Sequence, residues 1–168
     1  PYPGGPSISK AAEFGDPQKY KLPKSKLDKP YEFSFSGLKT AVLRLAQEEI
    51  GEDFTFPSYK VSERLSETQK NDIAASFQRV AVETVVDKTL KAYEEFMPKS
   101  VVIAGGVAAN NELRKQLTER IPLNIEYTDI KLCTDNGAMI ATLGCYKAIL
   151  GQPSSDPYSL QIEPNLSM

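Results

Sequence analysis

The chain has 168 residues, of which 40% are hydrophobic and 25% charged, and its net charge is −2. This is the composition of a globular protein of about one domain, and it excludes a global attraction to nucleic acid or an anionic membrane. The chain has no histidine, which excludes histidine acid–base catalysis and histidine metal ligation by its own residues. No apolar run reaches the ~18 residues of a membrane span. The two cysteines form no disulfide framework, so we expect a cytoplasmic location.

The start of the chain is rich in proline and glycine. Residues 1–6 therefore predict a loop. Pro6 is expected to begin a short helix that ends near residue 14, with Gly15 as its stop. Because a chain that opens on proline is an unusual start for a natural domain, we expect it to be a fragment of a longer protein.

A polar connector follows over residues 15–30. It is interpreted first as a solvated loop, and alternatively as a contact to the phosphate backbone of RNA, since clustered lysines supply such attraction. Its lysines are Lys19, Lys21, Lys24, Lys26 and Lys29.

Residues 31–35 alternate aromatic and polar side chains, which predicts a short strand. Ser36 is expected to cap a helix over residues 37–49, and residues 51–63 predict a loop. Lys39 would lie in the first turn of that helix. It is either a surface lysine or a group that reaches a phosphate or carbonyl.

The second half of the sequence alternates strands and helices. A capping-box pattern at residues 66–69 predicts the start of a long helix that ends before Pro98. Residues 100–104 are continuously apolar, which predicts a central strand buried on both faces. Residues 122–127 predict a second strand. The order strand–helix–strand–helix indicates parallel topology.

Two further helices complete the prediction. One covers residues 108–119, and the other begins at Thr134 or Asp135 and ends near residue 150. The tail over residues 151–168 is expected to be irregular. The fold class is therefore α/β, helix-rich, with an incomplete sheet whose strands need partners that this chain does not provide.

The turn after the first strand is the strongest candidate for a ligand site. Gly105 and Gly106 remove side chains from the carboxyl edge of the strand, and the following helix start favours an anion such as phosphate. Asn110 offers an amide that can donate and accept, which suits a ribose or a base. The alternative is a tight strand–helix turn without a ligand.

Asp135 follows the second strand and lies on the same predicted sheet edge, where ligands of open α/β sheets cluster. The simpler interpretation is that it caps the helix that follows. One carboxylate is too few for a metal site, so any metal would need ligands from elsewhere.

Four motifs in this order are similar to those of one family, the bacterial tRNA N6-adenosine threonylcarbamoyltransferases, formerly called O-sialoglycoprotein endopeptidases or glycoproteases. The chain resembles the C-terminal half of these proteins over nearly its whole length. The motifs are YPGGP at residues 2–6, FSFSGLKT at 33–40, AGGVAANNELR at 104–114 and CTDNGAMIA at 133–141.

The resemblance implies an actin-like, two-lobed fold of the sugar kinase and heat-shock ATPase superfamily. Residues 1–150 would form part of its C-terminal lobe, and residues 151–168 its irregular tail. It also implies transfer of a threonylcarbamoyl group from threonylcarbamoyl-adenylate to N6 of the adenosine beside the anticodon of tRNA.

The resemblance assigns roles to individual residues. Asp135 would be a metal ligand beside two histidines, and the metal would be one divalent ion, iron or zinc. Asn110 and Gly5 would contact the nucleotide-like substrate, which is ATP or threonylcarbamoyl-adenylate. Gly105 and Gly106 would form the phosphate-facing loop. No catalytic residue is assigned.

The family's two histidines lie in an N-terminal lobe that is missing from this chain, so the chain alone is expected to be inactive and to hold no metal tightly. The expected partners of the whole protein are tRNA, an actin-like paralogue and a small ATPase, with no membrane. Three alternatives stay open: a metal-dependent glycoprotease, a module that only binds partners, and an actin-like ATPase or nucleotide-binding module.

Overall fold

The computed structural model describes residues 4–25, 27, 29–152, 156 and 158. Two short 3₁₀ turns, Gly106–Ala109 and Ile130–Leu132, accompany the helices and strands. None of the helices in these ranges is both long and apolar enough to cross a membrane. The elements are α1 Gly4–Ala12, α2 Ser36–Glu49, α3 Ser58–Arg64, α4 Glu67–Phe96, β1 Val101–Ile103, α5 Asn111–Arg120, β2 Ile125–Tyr127 and α6 Gly137–Ile149.

Helix α4 is the central element, and its predicted ends are confirmed. The hydroxyl of Ser66 accepts a hydrogen bond from the backbone N–H of Gln69, whose side chain in turn accepts from the backbone N–H of Ser66. This reciprocal pair satisfies two donors at the helix start. At the other end Met97 adopts a left-handed conformation with φ of 44°, and Pro98 prevents continuation of the helix.

The two strands pair in parallel, as predicted, with Val101 opposite Ile125 and Ile103 opposite Tyr127. The prediction that the first strand is buried on both faces is wrong for the described residues, because Val102 is 61% exposed. Its neighbours Val101 and Ile103 pack against the cluster of α4 and α5, so Val102, which alternates with them along the strand, lies on the opposite face.

Apolar packing is divided between two clusters. One joins α4, α5 and the sheet, and Val86 and Leu117 are at most 1% exposed within it. The other joins α2, α3 and α4 through Ala46, Val61 and Ile73. Helix α4 contributes to both clusters, so it fixes the two halves of the chain relative to each other.

Three predictions for residues 31–63 are wrong. Residues 31–35 form no strand, because the rings of Phe33 and Phe35 pack together with 5.4 Å between their centroids and the N–H of Ser34 donates to Ser25 rather than to a strand. Ser36 lies inside α2 and does not cap it. The predicted loop over residues 51–63 contains the start of α3, which forms because Val61 is buried in the second cluster.

Helix α1 begins earlier than predicted, since Gly4 and Gly5 are already helical. The predicted loop residues before Gly4 lie outside the described residues. Gly15 has no left-handed conformation that a helix stop would use. Its role is close packing, because a Cβ there would lie 2.1 Å from the backbone oxygen of Asn71 in α4.

The last two helices begin later than predicted. Asn110 and Asn136 are their caps, so neither Thr134 nor Asp135 starts α6. All residues of α6 except its cap are exposed, although most of them are apolar. A helix that is apolar on all sides is normally buried. Most of the predicted tail lies outside the described residues.

Candidate functional site

The turn between β1 and α5 is short, and its two glycines are exposed. Gly105 has a backbone φ of 87°, a conformation that residues other than glycine rarely adopt. A 3₁₀ turn over Gly106–Ala109 follows, closed by a 3.0 Å hydrogen bond from the N–H of Ala108 to the oxygen of Gly105. Gly105 and Gly106 are exposed, so an anion can reach the amides at the start of this turn.

Asn110 caps α5 and also bonds to two other helices. Its Oδ1 accepts from the N–H of Leu113 at 2.9 Å. Its Nδ2 donates to the hydroxyl of Ser9 in α1 and to Oε1 of Gln78 in α4, each at 3.1 Å. The Ser9 hydroxyl itself donates to Gln78 at 2.8 Å. These three side chains therefore form a closed polar triangle.

A cavity of about 410 Å³ lies beside this triangle, between α1, the start of α2, α4 and the turn before α5. Its walls are apolar and include the rings of Phe33, Phe35 and Phe77. Gly5, Lys39 and Asn110 also line it. Residues from three of the sequence motifs, which are widely separated along the chain, therefore meet at one cavity.

The other predicted site residues lie outside this cavity. Gly105 and Gly106 do not line the cavity, although Val107, the next residue along the chain, does. Gly106 instead neighbours the segment after β2, since a Cβ there would lie 4.0 Å from the backbone oxygen of Cys133. Asp135 is exposed and belongs to neither the cavity lining nor the cap of α6.

The described residues do not fit a complete metal site. They contain no group of three or more histidine, cysteine, aspartate or glutamate side chains that could hold a metal ion, and the chain has no histidine. Asp135 could be at most one ligand of a set that other residues complete. The described residues alone therefore support no chemical step at a metal ion.

Two of the four connector lysines that the structure describes bind carboxylates. Lys24 lies 2.8 Å from Glu83 and 2.9 Å from Asp87, and Lys29 lies 2.6 Å from Glu32. Burial alone raises the pKa of the Glu83 carboxyl, but Lys24 and Arg79 outweigh it, so that pKa lies below its ordinary value. These pairs reduce the positive charge that the connector can offer to RNA. Lys26 lies outside the described residues.

Two polar residues of the site, Ser9 and Gln78, were missed in the sequence. Gln78 lies within the long helix that the sequence predicts as structural core. The sequence signal that could have identified Gln78 is its spacing, because Gln78 shares a helix face with Ala81, Val82 and Val85. A polar residue in such an apolar stripe indicates a buried hydrogen-bond partner.

Comparison with known proteins identifies the family. The sequence model of the tRNA N6-adenosine threonylcarbamoyltransferases matches residues 1–142. A relative of that name from Caldicellulosiruptor saccharolyticus is 44% identical over 99% of this chain and 46% of its own length. A relative of the same name from Thermomicrobium roseum is 43% identical over 89% of this chain and 43% of its own length. A third, from Dehalococcoides mccartyi, is 41% identical over 99% of this chain and 45% of its own length. The chain thus spans less than half the length of these relatives, and it belongs to the tRNA N6-adenosine threonylcarbamoyltransferase family.

Proposed function

We propose that the chain is part of an enzyme that transfers a threonylcarbamoyl group from threonylcarbamoyl-adenylate to N6 of the adenosine beside the tRNA anticodon. In this reaction a bond forms between N6 and the carbamoyl carbon, and the bond from that carbon to the phosphate oxygen breaks. AMP leaves with the electron pair, and a proton of N6 passes to solvent. The cavity that brings Gly5, Lys39 and Asn110 together is the observation that carries the proposal.

The cavity suits the adenylate part of the substrate. Its volume of about 410 Å³ is within the range of small-molecule sites, which combine apolar walls with a few polar groups. The rings of Phe33, Phe35 and Phe77 would contact the adenine. Lys39 is exposed and lines the cavity, so its ammonium would pair with the phosphate. The exposed amides of the Gly105–Gly106 turn, which adjoins the lining residue Val107, would hold an anionic oxygen that extends beyond the cavity.

Calorimetric titration of the chain with AMP and with adenosine tests this assignment. Lys39→Met is expected to weaken AMP binding about tenfold, because it removes one charge-assisted hydrogen bond. Adenosine lacks the phosphate, so its affinity should stay unchanged. Lys91→Met is the matched control, since Lys91 is exposed on α4 and does not line the cavity. An equal loss of AMP and adenosine binding would contradict the assignment of Lys39 to the phosphate.

We further propose that the rest of the whole protein, including the N-terminal lobe, covers α6 and β1 and supplies the two histidines that join Asp135 at the metal. Four observations support this. The relatives are about twice as long as this chain, α6 is apolar and exposed, Val102 of β1 is exposed, and the described residues hold no complete ligand set. Exposed apolar side chains of α6 are Met139, Ile140, Leu143, Tyr146 and Ile149.

The chain alone should therefore transfer no threonylcarbamoyl group and bind no metal tightly. A transfer assay with tRNA and threonylcarbamoyl-adenylate, together with the metal content of the purified chain, measures both. Activity with one metal per chain would refute this part of the proposal. The actin-like paralogue and the small ATPase stay predictions for the whole protein. ATP hydrolysis by that protein without tRNA would favour the ATPase alternative instead.

A further inference from the structure

Arg114 of α5 contacts both segments that follow the parallel strands. Its Nε donates to the backbone oxygen of Ala108, in the turn after β1. Its Nη2 donates to the backbone oxygen of Thr128, directly after β2, at 3.1 Å. Both acceptors are carbonyl groups, and no described carboxylate forms an ion pair with this guanidinium.

The guanidinium is held in this orientation by Tyr127. It lies over the Tyr127 ring, 4.8 Å from the centroid, where the ring face attracts a cation. The Tyr127 hydroxyl donates to the backbone oxygen of Arg114 at 3.0 Å and lies 2.9 Å from the hydroxyl of Thr118. Side chain and backbone of Arg114 are therefore both fixed against the end of β2.

The two segments also meet each other at Cys133, which is 1% exposed. Its sulfur lies 3.7 Å from Nη2 of Arg114 and donates to the backbone oxygen of Asp129 at 3.4 Å. A Cβ on Gly106 would lie 4.0 Å from the Cys133 oxygen, which is an ordinary van der Waals distance, so the two segments are neighbours. The contacts that connect them directly are the hydrogen bonds of Arg114 to Ala108 and Thr128.

We propose that Arg114 is a positioning residue that couples the loop carrying Gly105, Gly106 and Asn110 to the loop carrying Asp135. The proposal rests on the proposed function for the roles of these residues. The planar guanidinium donates in two directions at once, to two carbonyls on different loops, and a lysine ammonium on a flexible stem cannot reproduce this geometry. Arg114→Lys should therefore behave like a loss of the contact although it keeps the charge.

Hydrogen exchange of the chain tests the coupling without any ligand. Arg114→Gln and Arg114→Lys are expected to increase exchange about tenfold in residues 104–110 and 128–136 together, while the core amides of α4 report any change in global stability. The matched control is Arg79→Gln. Arg79 also donates to two backbone oxygens, those of Pro17 at 2.7 Å and Tyr20 at 3.4 Å, but these lie outside the two loops. Faster exchange in only one loop, or in neither, would overturn the proposal.

Titration with AMP supplies a second measurement. Arg114→Lys is expected to weaken AMP binding about tenfold, whereas Arg79→Gln should leave it unchanged. Unchanged AMP affinity in Arg114→Lys would overturn the positioning role. If the unsubstituted chain binds no AMP, the proposed function of the cavity fails, and the exchange experiment alone decides whether Arg114 couples the loops.

Discussion

Asn110 and Gln78 are joined by a hydrogen bond of 3.1 Å that connects the start of α5 to the middle of α4. The same amide caps α5 through its oxygen, 2.9 Å from the N–H of Leu113. Asn110 therefore follows the 3₁₀ turn, caps α5 and links α5 to α4 beside the cavity.

Two substitutions of Asn110 should separate the contribution of the helix cap to stability from that of the link to Gln78. Asn110→Ala removes both the cap and the link and should lower the free energy of unfolding by about 2 kcal/mol, since each is worth about 1 kcal/mol. Asn110→Ser keeps a capping hydroxyl and should lower it by only about half as much. Urea unfolding followed by circular dichroism measures both values.

Gln78→Ala supplies the control, because it removes the link and leaves the cap. In a double-mutant cycle, Gln78→Ala and Asn110→Ser should be clearly non-additive, since both remove the same hydrogen bond. Strict additivity would mean that the link contributes nothing to stability.

The capping box of α4 makes a second prediction. Ser66→Ala should lower the free energy of unfolding by about 1 kcal/mol, because it leaves the N–H of Gln69 without its partner. Thr68→Ala, two residues later and exposed, should have little effect or raise stability slightly through better helix propensity. Equal losses in the two variants would show that the cap is not the cause.

The sequence predicted the parts of the fold that depend on local signals. The capping box, the length of α4 and the strand–turn–helix order after Pro98 all follow from short-range patterns, and each is present. The predicted strand at residues 31–35 failed because alternation alone does not supply a pairing partner. Helix α3 was missed because it depends on burial of Val61 between two other helices, which is a tertiary effect.

The candidate site was predicted only as separate pieces. Gly5, Lys39 and Asn110 stood out as motif residues, but their meeting at one cavity depends on how α1 and α2 pack against α4. Gln78 and Arg114 each contact a residue more than ten positions away along the chain. The place of Gln78 within an apolar helix face indicates that it has a partner, but the identity of such a distant partner cannot be predicted from a single sequence.

The third prediction concerns how much the buried side chain of Leu117 contributes to stability. Leu117 is 1% exposed in the cluster of α4, α5 and the sheet, and Leu117→Ala should destabilise the chain by about 2–5 kcal/mol through lost burial and a cavity. Val102→Ala, in the same region but 61% exposed, should cost less than about 1 kcal/mol. Urea midpoints compare the two, and a comparable cost for Val102→Ala would show that the chain covers this face in solution.

Asp87 makes the fourth prediction, because it bridges two cations. Its carboxylate lies 2.9 Å from Lys24 and 2.8 Å from Arg120. Burial alone raises the pKa of Asp87, but these two cations outweigh it and hold the pKa below the ordinary 3.8. The ion pairs therefore stabilise the fold fully above that ordinary value and lose their effect as pH falls through the lower pKa of the folded state.

Asp87→Asn should accordingly lower the melting temperature by about 2–4 °C at pH 7, which corresponds to about 1 kcal/mol for half-exposed pairs. The difference from the unsubstituted chain should shrink between about pH 4 and about pH 2 as the carboxylate protonates, and also at about 1 M salt, which screens the charges. Glu94→Gln is the control, since Glu94 is exposed on the same helix and should change the melting temperature little at any pH. A difference for Asp87→Asn that persists at pH 2 would assign its effect to packing, because a protonated carboxyl and an amide carry the same charge.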